Sequence, residues 1–153
     1  MPGTFSKIYI QVVFAVRNRA AMIEEAWEAQ LYQYIGGIIR GHGQFALAIN
    51  GMPDQIHILM SIKGSCCLSD LVREIKKSSG KFINDRRLTK VRFNWQSGYG
   101  AFSYGHSQLG QIMSYIDRQK EHHYKLKFKS EYTSFLKRFE IKYDPQYLFE
   151  WID

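Results

Sequence analysis

Cysteine is nearly absent from this chain: the only two, Cys66 and Cys67, are adjacent. Neighbouring cysteines cannot bridge each other comfortably and their spacing fits no zinc site, which excludes a disulfide-stapled or zinc-ribbon domain. Long apolar runs are missing as well. No stretch approaches the roughly 18 residues needed to cross a bilayer. The opening segment, MPGTFSKIYI, lacks the basic stretch followed by a long apolar one that marks a signal peptide. No membrane association and a reduced, cytoplasmic location are therefore expected. No internal repeat, low-complexity tract or linker interrupts the chain. Its 153 residues are expected to form one domain, 1–153, with 140–153 as a C-terminal tail.

Acids are scarce where bases concentrate. The chain carries 21 Lys and Arg against 14 Asp and Glu, a net charge of +7. Eight of the 21 basic residues fall within 73–92, where only Glu74 and Asp85 oppose them. Such a balance favours polyanionic partners without specifying one.

What is present reads as alternating strands and helices. In SKIYIQVVFAVR (6–17), Ile8, Ile10, Val12, Phe14 and Val16 share one face, and Tyr9, Gln11 and Val13 the other, which predicts a strand. Residues 23–42 place Trp27, Leu31, Tyr34, Ile35 and Ile38 at helical spacing, with Gly41 and Gly43 as a stop. FALAING (45–51) and QIHILMSI (55–62) read as two strands of a hairpin around a Gly51/Pro53 turn. A helix is predicted from about Ser69 to Arg86. Its apolar side carries Leu68, Leu71, Val72, Ile75, Ser79, Phe82 and Ile83. The opposite side carries Arg73, Lys76, Lys77 and Lys81, a cationic stripe that is either simply solvated or placed to meet phosphates. VRFNW (91–95) and YGAFSY (99–104) read as short strands, followed by helices over about 108–124 and 131–139. The expected fold class is α+β: a mostly antiparallel sheet with helices on one face and the other free to bind.

Two familiar motifs are excluded. GYGAFSYG lacks the spacing of a dinucleotide fingerprint, and SSGKF lacks the upstream glycine and following Ser/Thr of a phosphate loop. Two other features invite chemistry. Gln55 and His57 share one face of a predicted strand while Ile56, Ile58 and Met60 share the other; this is either a polar outer face or a pair of ligands. Tyr115 and Gln119 stand one helical turn apart, as packing residues or as partners in one small site.

Taken in order, Q-I-H after MPD, then WQSGYGAFS, then YIDRQKEHH and the tail FEIKYDPQYL resemble the small single-tyrosine transposases of bacterial insertion sequences, in the HUH endonuclease superfamily. Members show P-D-H-U-H, where U is hydrophobic, and later Y-I-x-x-Q-x-x-H-H. The likeness runs from about Phe5 to Trp151. It implies a ferredoxin-like fold with one open sheet face, a homodimer, and cleavage and rejoining of hairpin-bearing single-stranded DNA at element ends. It further implies Tyr115 as the nucleophile that forms a 5′-phosphotyrosine link, and Gln55, His57 and Gln119 as ligands of one Mg²⁺ or Mn²⁺ ion. Arg73, Lys76, Lys77 and Lys81 would contact the nucleic acid.

A phenol with a pKa near ~10 is almost wholly protonated at neutral pH, so such a nucleophile works with a metal that polarises the phosphate. The chain departs from the pattern at Gln55, where the family has a histidine. An amide oxygen suits Mg²⁺ or Mn²⁺ but is a weaker donor than imidazole. A relative that binds hairpin DNA without efficient cleavage is the alternative, and an RNA-binding ferredoxin-like domain a more distant one.

Overall fold

The structure, a computed structural model, describes residues 3–19, 22–121 and 128–143. Strands β1 (Ile8–Ala15), β2 (Phe45–Met52), β3 (Gln55–Ile62) and β4 (Gly100–Tyr104) form one antiparallel sheet in the order β2-β3-β1-β4. Helices α1 (Glu25–Gly41) and α2 (Leu68–Asp85) make the two crossovers, which gives the β-α-β-β-α-β arrangement of ferredoxin-like folds. Among the described residues, helices α3 (Leu109–Asp117) and α4 (Phe128–Arg138) follow the sheet.

Side-chain alternation divides the core between the two sheet faces. Val12, Phe14 and Val16 of β1 and Ile56, Ile58 and Met60 of β3 pack beneath α1 and α2, with Leu31, Ile35, Val72, Ile75 and Ile83. Val13, Ala15 and Leu59 point the other way, into a second cluster with Ile116 of α3 and Tyr132, Phe135 and Leu136 of α4. The expected α+β sandwich is present. Its helices cover both faces, however, because α3 and α4 fold back over the face that was expected to stay open. The strand residues Gln55 and His57 are therefore buried rather than wet.

The β2–β3 hairpin turns through Pro53 and Asp54 and pairs Met52 with Gln55. Gly51 is required here, since a Cβ at this position would lie 2.1 Å from the Gln55 carbonyl oxygen. The expected strand at 91–95 does not form; only Trp95 makes a bridge, to Val16. The cause is local. Asn84 of α2 accepts from the Phe93 N–H at 2.7 Å and donates to the Phe93 carbonyl at 2.9 Å, so this backbone pairs with a side chain instead of a ladder.

The helix expected over 108–124 ends as α3 at Asp117, and helical turns resume at Gln119. Asn50 explains the break. Its amide nitrogen donates to the carbonyls of Ile116 and Asp117, the two acceptors that residues 120 and 121 would otherwise take. Lys120 then bonds Glu28 of α1 and the Gly51 carbonyl, fixing this corner to the hairpin. His122, His123 and residues 144–153 of the expected tail lie outside the described residues.

Candidate active site

His57 and Gln55 sit two apart on β3, so both side chains point from the same face, toward α4. His57 is 0% exposed, Gln55 1%, and Gln119, just beyond α3, 1%. All three surround one carboxylate that the sequence motifs do not include, that of Glu131 on α4, itself 2% exposed. Gln119 Nε2 donates to its two oxygens at 3.0 and 3.3 Å, and Gln55 Nε2 to Oε1 at 3.4 Å. His57 Nε2 stands 3.2 Å from Oε1, close enough for an ion pair but without hydrogen-bond geometry. The Tyr115 hydroxyl donates to Oε2. Thus the four residues expected to form a site do converge, on a fifth.

Three atoms in this cluster are buried and have no hydrogen-bond partner: Gln55 Oε1, His57 Nε2 and Gln119 Oε1. Leaving such atoms unpaired costs roughly 1–3 kcal/mol each, so a site lined by them is built to meet something. Two amide oxygens, one imidazole nitrogen and an adjacent carboxylate make a donor set suited to a hard divalent cation.

Gln11, buried on β1, supports the imidazole from behind. Its Nε2 lies 3.0 Å from His57 Nδ1, and its Oε1 accepts from the Tyr104 hydroxyl at 2.8 Å. In this arrangement Nδ1 is the acceptor. Turning the amide over would offer Nδ1–H an oxygen and leave the Nε2 lone pair for a cation.

Electrostatics follow from burial. Burial alone would raise the Glu131 carboxyl, but the His57 imidazole, Tyr115 and Gln119 outweigh it and hold the group below the usual carboxylate range. Burial, and then the charge and hydrogen bond of Glu131, push the Tyr115 hydroxyl well above an ordinary phenol. The nucleophile candidate is thus a neutral phenol with a proton acceptor in contact.

The cationic stripe lies elsewhere. Arg73, Lys76, Lys77 and Lys81 line a groove of about 1090 Å³ between α2 and residues 92–99, which shares no residue with the carboxylate cluster. Arg73 and Lys81 pair with Asp70 and Asp85 at the exposed surface. Lys76 departs from the expected free stripe. Its ammonium donates to the carbonyls of Gln96 and Gly98, and burial lowers its pKa to about 8. The groove approaches the cluster at one end, because Gln96 N–H bonds the Ala15 carbonyl and Ala15 pairs with Gln55.

Glu131 and Gln11 were the residues that motif reading missed. Glu131 had a signal: it falls one turn before Phe135, on the apolar side of α4, where a carboxylate is out of place unless it is satisfied.

The family profile described as "Transposase IS200 like" matches residues 4–119. The chain belongs to the IS200-like transposases. Two solved structures share the fold of this transposase. A provisionally named transposase from Deinococcus radiodurans R1 superposes with a TM-score of 0.63 at 20% identity, over 76% of this chain and 94% of its own. A REP-associated tyrosine transposase bound to a REP hairpin superposes with a TM-score of 0.59 at 20% identity, over 78% of this chain and 71% of its own. No curated protein matches the transposase in sequence. No helix among its described residues is long and apolar enough to cross a membrane.

The lowered Glu131 carboxyl has a pH signature. Its stabilising contribution is complete above the unfolded value of about 4.3 and disappears as pH falls through the folded value. Urea unfolding of wild type and Glu131→Gln between pH 6 and 3 should give curves that converge on acidification, with wild type losing more stability. Parallel losses would mean that the carboxylate is not held in this network.

Proposed function

We propose that this transposase cuts and rejoins single-stranded DNA through Tyr115, with a 5′-phosphotyrosine intermediate. One observation carries the reading: the Tyr115 hydroxyl meets Gln55, His57 and Gln119 at a single buried carboxylate. Tyr115 Oη forms a bond to the phosphorus, the bond from phosphorus to the 3′ oxygen breaks, and the departing 3′ oxygen takes a proton from water. Glu131 Oε2, already accepting from the tyrosine, is the place for the phenolic proton. Gln55, His57 and Gln119 would hold Mg²⁺ or Mn²⁺, which when bound polarises the scissile phosphate and offsets the developing charge. The covalent link keeps a phosphodiester's energy for rejoining, so no external source is required.

The groove under α2 is the proposed path for the strand, since it is lined by Arg73, Lys77 and Trp95 and ends near Gln55. A hairpin is the proposed substrate form, by analogy with the REP-bound relative. We further propose a homodimer. Within one chain the Tyr115 hydroxyl already donates to Glu131, which supports a nucleophile supplied in cis. The second reading, a protein that binds hairpin DNA without efficient cleavage, is favoured by the Gln55 amide and by the carboxylate that fills the cluster.

Incubated with divalent cation and labelled single-stranded hairpin DNA, wild type should give a denaturant-resistant protein–DNA adduct and Tyr115→Phe none. Binding without any adduct in wild type would favour the second reading. Removing Arg73 or Lys77 should each reduce the single-strand salt slope by roughly 0.7; an unchanged slope would leave the stripe merely solvated. Light scattering should return about twice the 18.0 kDa chain mass, and a monomer mass at micromolar concentration would refute the dimer.

A further inference from the structure

We propose that Glu131 is itself a ligand of the cation, a fourth donor carried by α4. This rests on the metal-site reading above and extends it to a residue outside the sequence motifs. Proximity is the first argument. The Glu131 carboxylate lies 3.0–3.4 Å from the amide nitrogens of Gln119 and Gln55 and from His57 Nε2, so it borders the same small space as all three candidate ligands. The unpaired oxygens of those two amides are buried in the same cluster.

Charge is the second. Gln55 and Gln119 are uncharged donors, and an imidazole ligates only when neutral. Without Glu131 a buried dication would have no anionic protein ligand. Conversely, the carboxylate is 2% exposed and has the His57 imidazole, 3.2 Å away, as its charged partner; a bound cation would take over that role. The carboxylate also offsets the weaker donation of Gln55.

Delivery is the third. Tyr132 and Phe135, one and four residues after Glu131 on α4, are locked in the core under the sheet. A Cβ on Gly100 would stand 2.6 Å from the Tyr132 hydroxyl, so the missing side chain on β4 lets α4 come this close. The donor is held rigidly rather than swung in from a loop.

Mn²⁺ binding measured by calorimetry on the full chain tests this without reference to cleavage. Wild type should bind; His57→Ala should abolish binding; Glu131→Gln, nearly isosteric, should weaken it at least tenfold, since loss of an outer-shell partner alone costs about 10- to 100-fold. Unchanged or tighter binding by Glu131→Gln would overturn the proposal and make the carboxylate a plug that the cation displaces. Absence of binding by wild type, or binding indifferent to His57→Ala, would instead refute the metal site as a whole. Should Glu131→Gln fail to fold, a wild-type crystal soaked in Mn²⁺ decides. An anomalous peak within about 2.2 Å of a Glu131 oxygen supports the proposal, and a peak on His57 remote from Glu131 overturns it.

Discussion

A single buried carboxylate organises this half of the molecule. Glu131 collects Gln55 and His57 from the central strand β3, Tyr115 from α3 and Gln119 from the turn beyond it. Take the carboxylate away and the two buried amides of Gln55 and Gln119 lose an acceptor. At roughly 1–3 kcal/mol for each orphaned group, that is a substantial part of the stability of a domain this size. The helix that brings Glu131 also closes the second face of the sheet, so one contact joins fold to chemistry.

The arrangement separates two tasks across the sheet. On the α2 side lies an open groove with cationic and aromatic walls, suited to a nucleic-acid backbone and its bases. On the other side lies a dry, closely spaced polar cluster, suited to bond making. They meet at the end of β1, where Ala15 touches both Gln96 and the pair partner Gln55. Burial in the cluster keeps Tyr115 protonated, which suits the proposed role of a nucleophile held quiet until substrate binds.

The strands, the hairpin and the buried side of α2 were legible in the sequence because each follows a simple period. Gln55–Ile62 was readable to the residue, and the apolar row from Leu71 to Ile83 is the one found buried. Irregular backbone was not legible. Residues 91–95 have strand-like composition, yet Asn84 satisfies Phe93, and no period reveals a side chain that replaces a ladder. The break after Asp117 has the same origin, through Asn50, which is 66 residues away from Ile116. Local pattern could place Tyr115 near Gln119, and a motif could add Gln55 and His57. Neither could show that α4 folds back to put Glu131 among them, since that depends on the packing of Tyr132, Phe135 and Leu136.

The central claim is that this cluster is where a strand is cut by Tyr115. Mass-spectrometric mapping of the covalent product tests it most directly, because the tryptic peptide between Arg92 and Arg118 contains Tyr99, Tyr104 and Tyr115. Fragmentation should place the nucleotide on Tyr115 alone. A nucleotide on Tyr99 or Tyr104, or on a peptide elsewhere in the chain, would contradict the account.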